Sequence, residues 1–395
     1  MRHITRTLLA LTTLTGLSVR AQTYTQLTNM PGQVRDGVLA FAIGDKVYLG
    51  GGLGNKDFYE LNTANGQWTQ LDDLPGVTNE RWFGACFVIN DKGYVGLGSD
   101  GSSFLNDLWE FDPATGEWAE KASFPGAPRN TVWGFAVGGK GYVCGGADNE
   151  YIYSDFYEYD PAQNEWTPRG ALPIGPTAFG SAFVIDNYAY IVGGDHGTSE
   201  STDLYRWDPV GLEWVERAPF IGHARQAAVA FTLNGQGWFG LGQSQYTTPY
   251  ADMFTYDPQH DRWTRMADFA GGVRTWAAAC NTADQAFLGT GWDFGSNFFN
   301  DWWRMDATVG ITDVNAVTST LELYPVPATD QLNVRLPHAT RTNVQVLDAS
   351  GRVVRTATLV QELSTLDVHD LAAGDYLLVA QGLDATPLRV HFIKR

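Results

Sequence analysis

Helix-forming stretches are missing from this chain: no long run of Ala, Glu, Lys and Leu occurs, and charged residues make up only 18% of 395 positions. Cysteine is scarce. Cys86, Cys144 and Cys280 each sit inside an apolar run ("GACFVI", "YVCGG", "AAACN"), and no C-x-x-C spacing is present. That spacing rules out a thiolate zinc site and predicts three buried, unpaired thiols acting as small apolar residues. Basic residues are few where the chain is longest: residues 22–320 hold 16 Lys and Arg against 36 Asp and Glu, and residues 321–395 hold 7 against 8. Phosphates would be repelled by such a surface, so nucleic acid is excluded as a partner. No apolar run is long enough to span a bilayer. What the chain has in plenty is Gly (44 residues) and aromatics (13%), which favours short strands joined by tight turns.

The N-terminus reads as a leader. Arg2, His3 and Arg6 precede the apolar run "LLALTTLTGLSV", and small residues follow. A basic start, a short apolar middle and small residues at Val19 and Ala21 predict a secretory signal peptide over residues 1–21, cut after Ala21.

One sentence is then written repeatedly: "DLWEFDPATGEW", "DFYEYDPAQNEW", "DLYRWDPVGLEW". Aligned on Trp68, Trp118, Trp166, Trp214 and Trp263, the unit recurs at intervals of 48 to 50 residues. Asp-Pro opens a type I turn before most of these tryptophans. An aromatic run led by Asp57, Asp107, Asp155, Asp203, Asp252 or Asp301 precedes each turn, and a strand ending in glycines ("VYLGGG", "GYVCGG", "AYIVGG") precedes that. Four short strands per unit, repeated, predict a stacked ring of sheets, since one such sheet cannot bury both faces. Six units have their first three strands, but only five Trp strands follow them; "YTQLTNMPG" at Tyr24–Gly32 matches "WTQLDDLPG" and predicts that the N-terminal strand completes the sixth sheet. Paired glycines, aromatic run and spaced Trp resemble the kelch repeats of galactose-oxidase-like propellers over residues 24–306. The resemblance implies an all-β, six-bladed kelch propeller over residues 22–308.

After a polar linker at residues 309–320, alternating segments broken by "DASG" and "LAAGD" predict a small Ig-like β-sandwich over residues 321–395. Tyr324-Pro325, Pro327-Ala328-Thr329-Asp330, Asp348 with Gly351-Arg352, Leu366 through Leu371, Gly374 with Tyr376, and the final "FIKR" resemble the C-terminal sorting domain of type IX secretion cargo, found in Bacteroidota. Val326 stands where that family has Asn. The resemblance implies engagement of the type IX machinery through residues 321–395, with the mature protein released or held at the cell surface.

Thirteen residues before the aromatic that leads each glycine pair stand Arg35, Arg81, Arg129, Thr177, Arg225 and Arg274. Five arginines at the entry to the innermost strands place a ring of guanidiniums at the channel mouth. They would grip an acidic ligand, or pair with the repeated Asp and lock the ring. Thr177 leaves Asp203 without its Arg. His196 and His223, with Asp195, would share that mouth as an acid–base or metal cluster or as plain surface imidazoles, and Trp82, Trp276, Trp292, Tyr151 and Tyr246 gather there for stacking or for packing between sheets. A copper oxidase of the galactose-oxidase type is disfavoured, because residues 22–308 offer only His196, His223 and His260. The sialic-acid mutarotases, which resemble this chain in their kelch propeller, keep an acidic-sugar enzyme as the alternative. No catalytic set, metal site or cofactor is expected; the expected role is binding a carbohydrate, peptide or protein.

Overall fold

A computed structural model describes residues 21–244, 247–308, 322–324, 328–335, 342–348, 352–359, 363–381 and 388–395. The leader up to residue 20, the linker and Pro325–Pro327 of the tail motif lie outside the described residues. Among the described residues there are strands and no helix, and the chain divides into Met1–Gly310 and Ile311–Arg395.

The first unit holds six four-stranded antiparallel sheets. Their innermost strands are Leu39–Ile43, Ala85–Ile89, Trp133–Val137, Ser181–Ile185, Val229–Leu233 and Ala278–Asn281. These neighbour one another in chain order, and the sixth neighbours the first. In the sixth sheet the outermost strand is Ala21–Gln26, paired antiparallel with Trp302–Thr308 in the register Tyr24 to Met305 and Gln26 to Trp303.

Two sets of contacts join each sheet to the next. Side chains interleave between sheets: Phe41, Tyr48 and Phe58 of the first pack with Phe111 and Trp118 of the second. Backbone bonds repeat around the ring: the glycine two residues past each second strand donates to the carbonyl of the Arg (or Thr177) in the following sheet. Gly52 N–H reaches Arg81 O, Gly146 reaches Thr177 O, and Gly291 reaches Arg35 O, at 2.8 to 2.9 Å. Gly291 has a φ of 93°. A Cβ there would also stand 2.6 Å from the Thr275 carbonyl, so only glycine allows this approach. The repeated tryptophans staple outer strands as well, Trp68 Nε1 donating to Thr28 O, Trp166 to Ala122 O and Trp263 to Ala218 O.

Cys86, Cys144 and Cys280 are free thiols. Cys144 and Cys280 are buried, while Cys86 is partly buried and donates to the Ala40 carbonyl at 3.3 Å. Burial pushes the Cys86 thiol up to about 11.

In the second unit, a sheet of Glu322–Tyr324, Gln331–Arg335 and Leu363–Asp367 and a sheet of Val353–Leu359, Thr342–Asp348, Gly374–Gln381 and Leu388–Lys394 share one core. Leu332, Val334 and Leu366 of one sheet meet Val344, Val346, Leu378 and Phe392 of the other. Alternation of apolar and polar residues along each strand puts one face inward, as in "NVQVLD".

Candidate functional site

The five ring arginines are 0 to 1% exposed. Each grips the Asp that opens the third strand of its own sheet: Arg35 with Asp57, Arg81 with Asp107, Arg129 with Asp155, Arg225 with Asp252, Arg274 with Asp301. The pairing is bidentate. Arg81 donates to both oxygens of Asp107 at 2.8 and 2.5 Å, and Arg274 to both oxygens of Asp301 at 2.6 and 3.1 Å. A second acceptor is the carbonyl sixteen residues on, Gly51, Leu97, Gly145, Leu241 or Thr290. Rings cover the cation where they are available: Tyr153 over Arg129 at 3.5 Å, Tyr250 over Arg225 and Phe299 over Arg274 at 4.2 Å. Both terminal nitrogens of every guanidinium are engaged, so these arginines meet aspartate and carbonyls of their own sheets.

What faces the channel mouth stands two residues further on. Gly37, Phe83, Thr131, Phe179, Ala227 and Trp276 all have φ between 52 and 65°. Left-handed backbone is costly for bulky or β-branched residues. Its cause is visible: the turned N–H reaches the equivalent carbonyl of another sheet. Phe83 donates to Gly37 O, Phe179 to Thr131 O, Ala227 to Phe179 O, Trp276 to Ala227 O and Gly37 to Trp276 O, at 3.0 to 3.3 Å. This collar carries small residues in the first, third and fifth sheets, Thr131 being the largest, and aromatics in the second, fourth and sixth.

The aromatics converge. Phe83 meets Phe179 edge-on at 5.1 Å and Trp276 at 5.5 Å; Trp276 stacks on Trp292 at 5.4 Å, and Trp292 on Phe294 at 4.5 Å and Phe298 at 5.6 Å. Trp82 packs on Phe83 at 4.7 Å. Phe298 is exposed and the others partly so. A ladder of flat rings therefore climbs from the channel axis to solvent. Below it a cavity of about 150 Å³ is lined by Gly37, Phe83, Thr131, Phe179, Ala227 and Trp276. Trp82, Trp276 and Trp292 were legible in the sequence, whereas Phe83, Phe179 and Phe298 were missed; for Phe83 and Phe179 the signal was the residue two after each ring position. Tyr151 is exposed and its ring meets Tyr153, and Tyr246 lies outside the described residues.

Buried polar groups border the collar. Gln226 and Gln243 are fully buried and paired through their backbones, with amide oxygens that no described group contacts. Asp36 is 3% exposed, and its Oδ1 accepts from no described donor. Burial pushes its carboxyl up to about 6. A carboxyl raised above its unfolded value is protonated in the native state while the unfolded chain is ionised, so the native state loses stability as pH rises from about 4 to 6. Asp36→Asn is therefore expected to raise Tm at pH 7.5, with the gain shrinking below about pH 6 and gone near pH 4. Paired melts at pH 7.5 and 4 check this, and an equal gain at both would refute it.

His223 is exposed and stacks on Tyr250 at 5.7 Å, and His196 has a buried Nε2 without a described partner. No three His, Cys, Asp or Glu side chains are grouped to hold a metal among the described residues.

Residues 7–173 match the family model described as KLHDC2/KLHL20/DRC7 Kelch-repeats domain, residues 176–220 the Kelch motif, and residues 322–387 the Secretion system C-terminal sorting domain. The N-acetylneuraminate epimerase of Pasteurella multocida is 41% identical over 119 residues, 28% of this chain and 30% of that protein. The protein of the same name from Yersinia enterocolitica is 29% identical over 99 residues, 23% and 24% of the two chains. This chain thus spans less than a third of the length of these curated relatives. The solved structure of YjhT superposes with a TM-score of 0.61 at 18% identity, covering 70% of this chain and 95% of that one, a likeness of fold. The chain is a kelch-repeat protein of all-β fold that ends in a type IX secretion C-terminal sorting domain.

Proposed function

We propose that this protein is an exported, non-catalytic carbohydrate-binding module whose six sheets are the blades of one kelch propeller. The single observation that carries this reading is the partly exposed aromatic ladder Phe83–Trp276–Trp292–Phe298 at the channel mouth. Flat apolar rings edged by amide and carboxyl groups match the alternating apolar faces and hydroxyl edges of a sugar. Engagement of the five guanidiniums by aspartate, with a net charge of −18, favours a neutral saccharide over an acidic one. In this reading a leader over residues 1–21 directs inner-membrane export, the Ig-like tail addresses the type IX machinery, and the mature protein is released or held at the cell surface.

A glycan array probed with the full chain tests the reading. Neutral glycans are expected to bind, and Phe298→Ala and Trp276→Ala to weaken them by about 2 kcal/mol, roughly thirtyfold, for an anchoring ring. Unchanged binding in both variants would sink it. The names of the two partial relatives favour a second reading, an enzyme acting on an acidic sugar. Proton NMR of N-acetylneuraminate mixed with the protein separates the two: accelerated interconversion of its forms supports the enzyme.

A further inference from the structure

Five sheets show how a guanidinium is held, and the fourth shows the same frame without one of its own. There Thr177 takes the Arg position. Its Oγ1 donates to the Gly175 carbonyl at 2.9 Å, replacing the bond that Arg35, Arg129 and Arg225 make from Nε to the carbonyl two residues back. The acceptors that elsewhere receive the two terminal nitrogens remain: the Gly193 carbonyl, sixteen residues on, and the Asp203 carboxylate at the head of the third strand. Among the described residues no side chain donates to either.

Three other positions set this sheet apart from the third, fifth and sixth. Gly32, Gly126 and Gly271 stand three residues before their arginines, where a Cβ would lie 2.5 to 2.8 Å from the Arg Nη2. The fourth sheet has Ile174 there, packed toward the core of its own and the preceding sheet. The covering rings Tyr153, Tyr250 and Phe299 correspond to Ser201, whose hydroxyl accepts from Asp203 N–H. The lower rings Phe124, Phe220 and Phe269 correspond to Leu172. The result is exposure: the paired aspartates have side chains 15 to 30% exposed, whereas Asp203 is an exposed residue. The first and second sheets also lack a ring at the lid position, with Asn55 and Leu105 there, yet they keep their arginines. In the fourth sheet the arginine and the ring are both absent, and the carboxylate opens to solvent.

We propose that Asp203 and the Gly193 carbonyl form a binding notch for a guanidinium brought by a ligand, which completes in the fourth sheet the pairing that the other five make internally. The geometry asked of the ligand is the one already present five times: two parallel N–H bonds to a carboxylate and a third to a carbonyl. Nothing in this proposal depends on what stacks on the aromatic ladder. The guanidinium can come from a free small molecule or from an arginine side chain of a partner polypeptide.

Calorimetric titration of the full chain with agmatine, and with Gly-Arg-Gly blocked at both ends, tests this at low salt. Asp203→Asn is expected to weaken both by at least about tenfold, the loss of one charged bidentate partner. Asp72→Asn removes one exposed charge from the first sheet and is expected to change binding by less than about twofold. The double variant Ile174→Gly/Thr177→Arg supplies the internal cation and is expected to abolish uptake while raising Tm. Tighter binding of the tripeptide identifies a chain-borne arginine as the source, and equal binding a free guanidinium. The proposal is overturned if the native chain takes up neither compound, if Asp203→Asn binds as the native chain does, or if Asp72→Asn weakens binding as much as Asp203→Asn.

Discussion

Asp107→Ala is expected to lower the melting temperature of the kelch unit by about 10 °C, while Asp203→Ala leaves it nearly unchanged. The two aspartates stand at the same position of the second and fourth repeats, so composition and register do not separate them. Partnership does. Asp107 holds both terminal nitrogens of Arg81 and also accepts from Trp109 Nε1 at 2.7 Å. Removing it leaves a fully buried guanidinium with only the Leu97 and Pro75 carbonyls as partners. Breaking a buried pair at one end costs about 3–5 kcal/mol, because the stranded charge keeps its desolvation penalty. In a unit of this size each kcal/mol moves Tm by roughly 2–4 °C. Asp203 is exposed and holds no described cation, so its loss belongs with ordinary surface changes, within about 0.5 kcal/mol. Thermal melts of the two variants decide it; equal shifts would mean that the buried pairs do not lock the sheets.

Deleting residues 22–27 is expected to be the most damaging change of all, yielding no cooperative melt. The strand Ala21–Gln26 contributes the outer edge of the sixth sheet, and Leu27 N–H continues the pairing to Trp302 O at 2.8 Å. Tyr24 packs on Phe269 at 5.2 Å, and burial raises its hydroxyl well above the ordinary tyrosine range. Without the strand, Trp302–Thr308 becomes an unpaired edge bearing Trp303 and Met305, an invitation to pair with another chain. Gly291 and Arg35 would keep their bond on the inner side, but the outer half of that junction would have no partner. Calorimetry and light scattering on the truncated chain check this, and a sharp transition near that of the full chain would refute it.

The repeat made much of the fold legible because its cues are local. Asp-Pro turns, glycine-ended strands and spaced tryptophans each act within a few residues, and five of the six registered copies set an Arg and an Asp 22 to 27 positions apart. The unmatched Thr177 was equally plain. The collar was not. Nothing in "RWFG" or "PTAFG" marks Phe83 or Phe179 as left-handed. That conformation is imposed by a carbonyl from another sheet, Gly37 O or Thr131 O, and a single strand cannot report a force that arises only when the ring assembles. The arginines were legible as a choice, a grip on an acidic ligand or a lock with the repeated Asp, and spacing alone does not decide it. Their position near the mouth is visible in the spacing, but their pairing is made with groups far along the chain, the third-strand aspartates and, in three sheets, rings such as Tyr153 and Phe299. Ile174 and Ser201 acquire meaning only beside the filled copies.

The register of Tyr24 against Met305 also sets an order in time. The strand Ala21–Gln26 must wait for nearly the last strand of its unit, some 280 residues later, before it finds its partner. Contacts so distant along the chain are slow to form. Until then the nascent protein has no finished edge, and the ring can close only once the whole unit has been made.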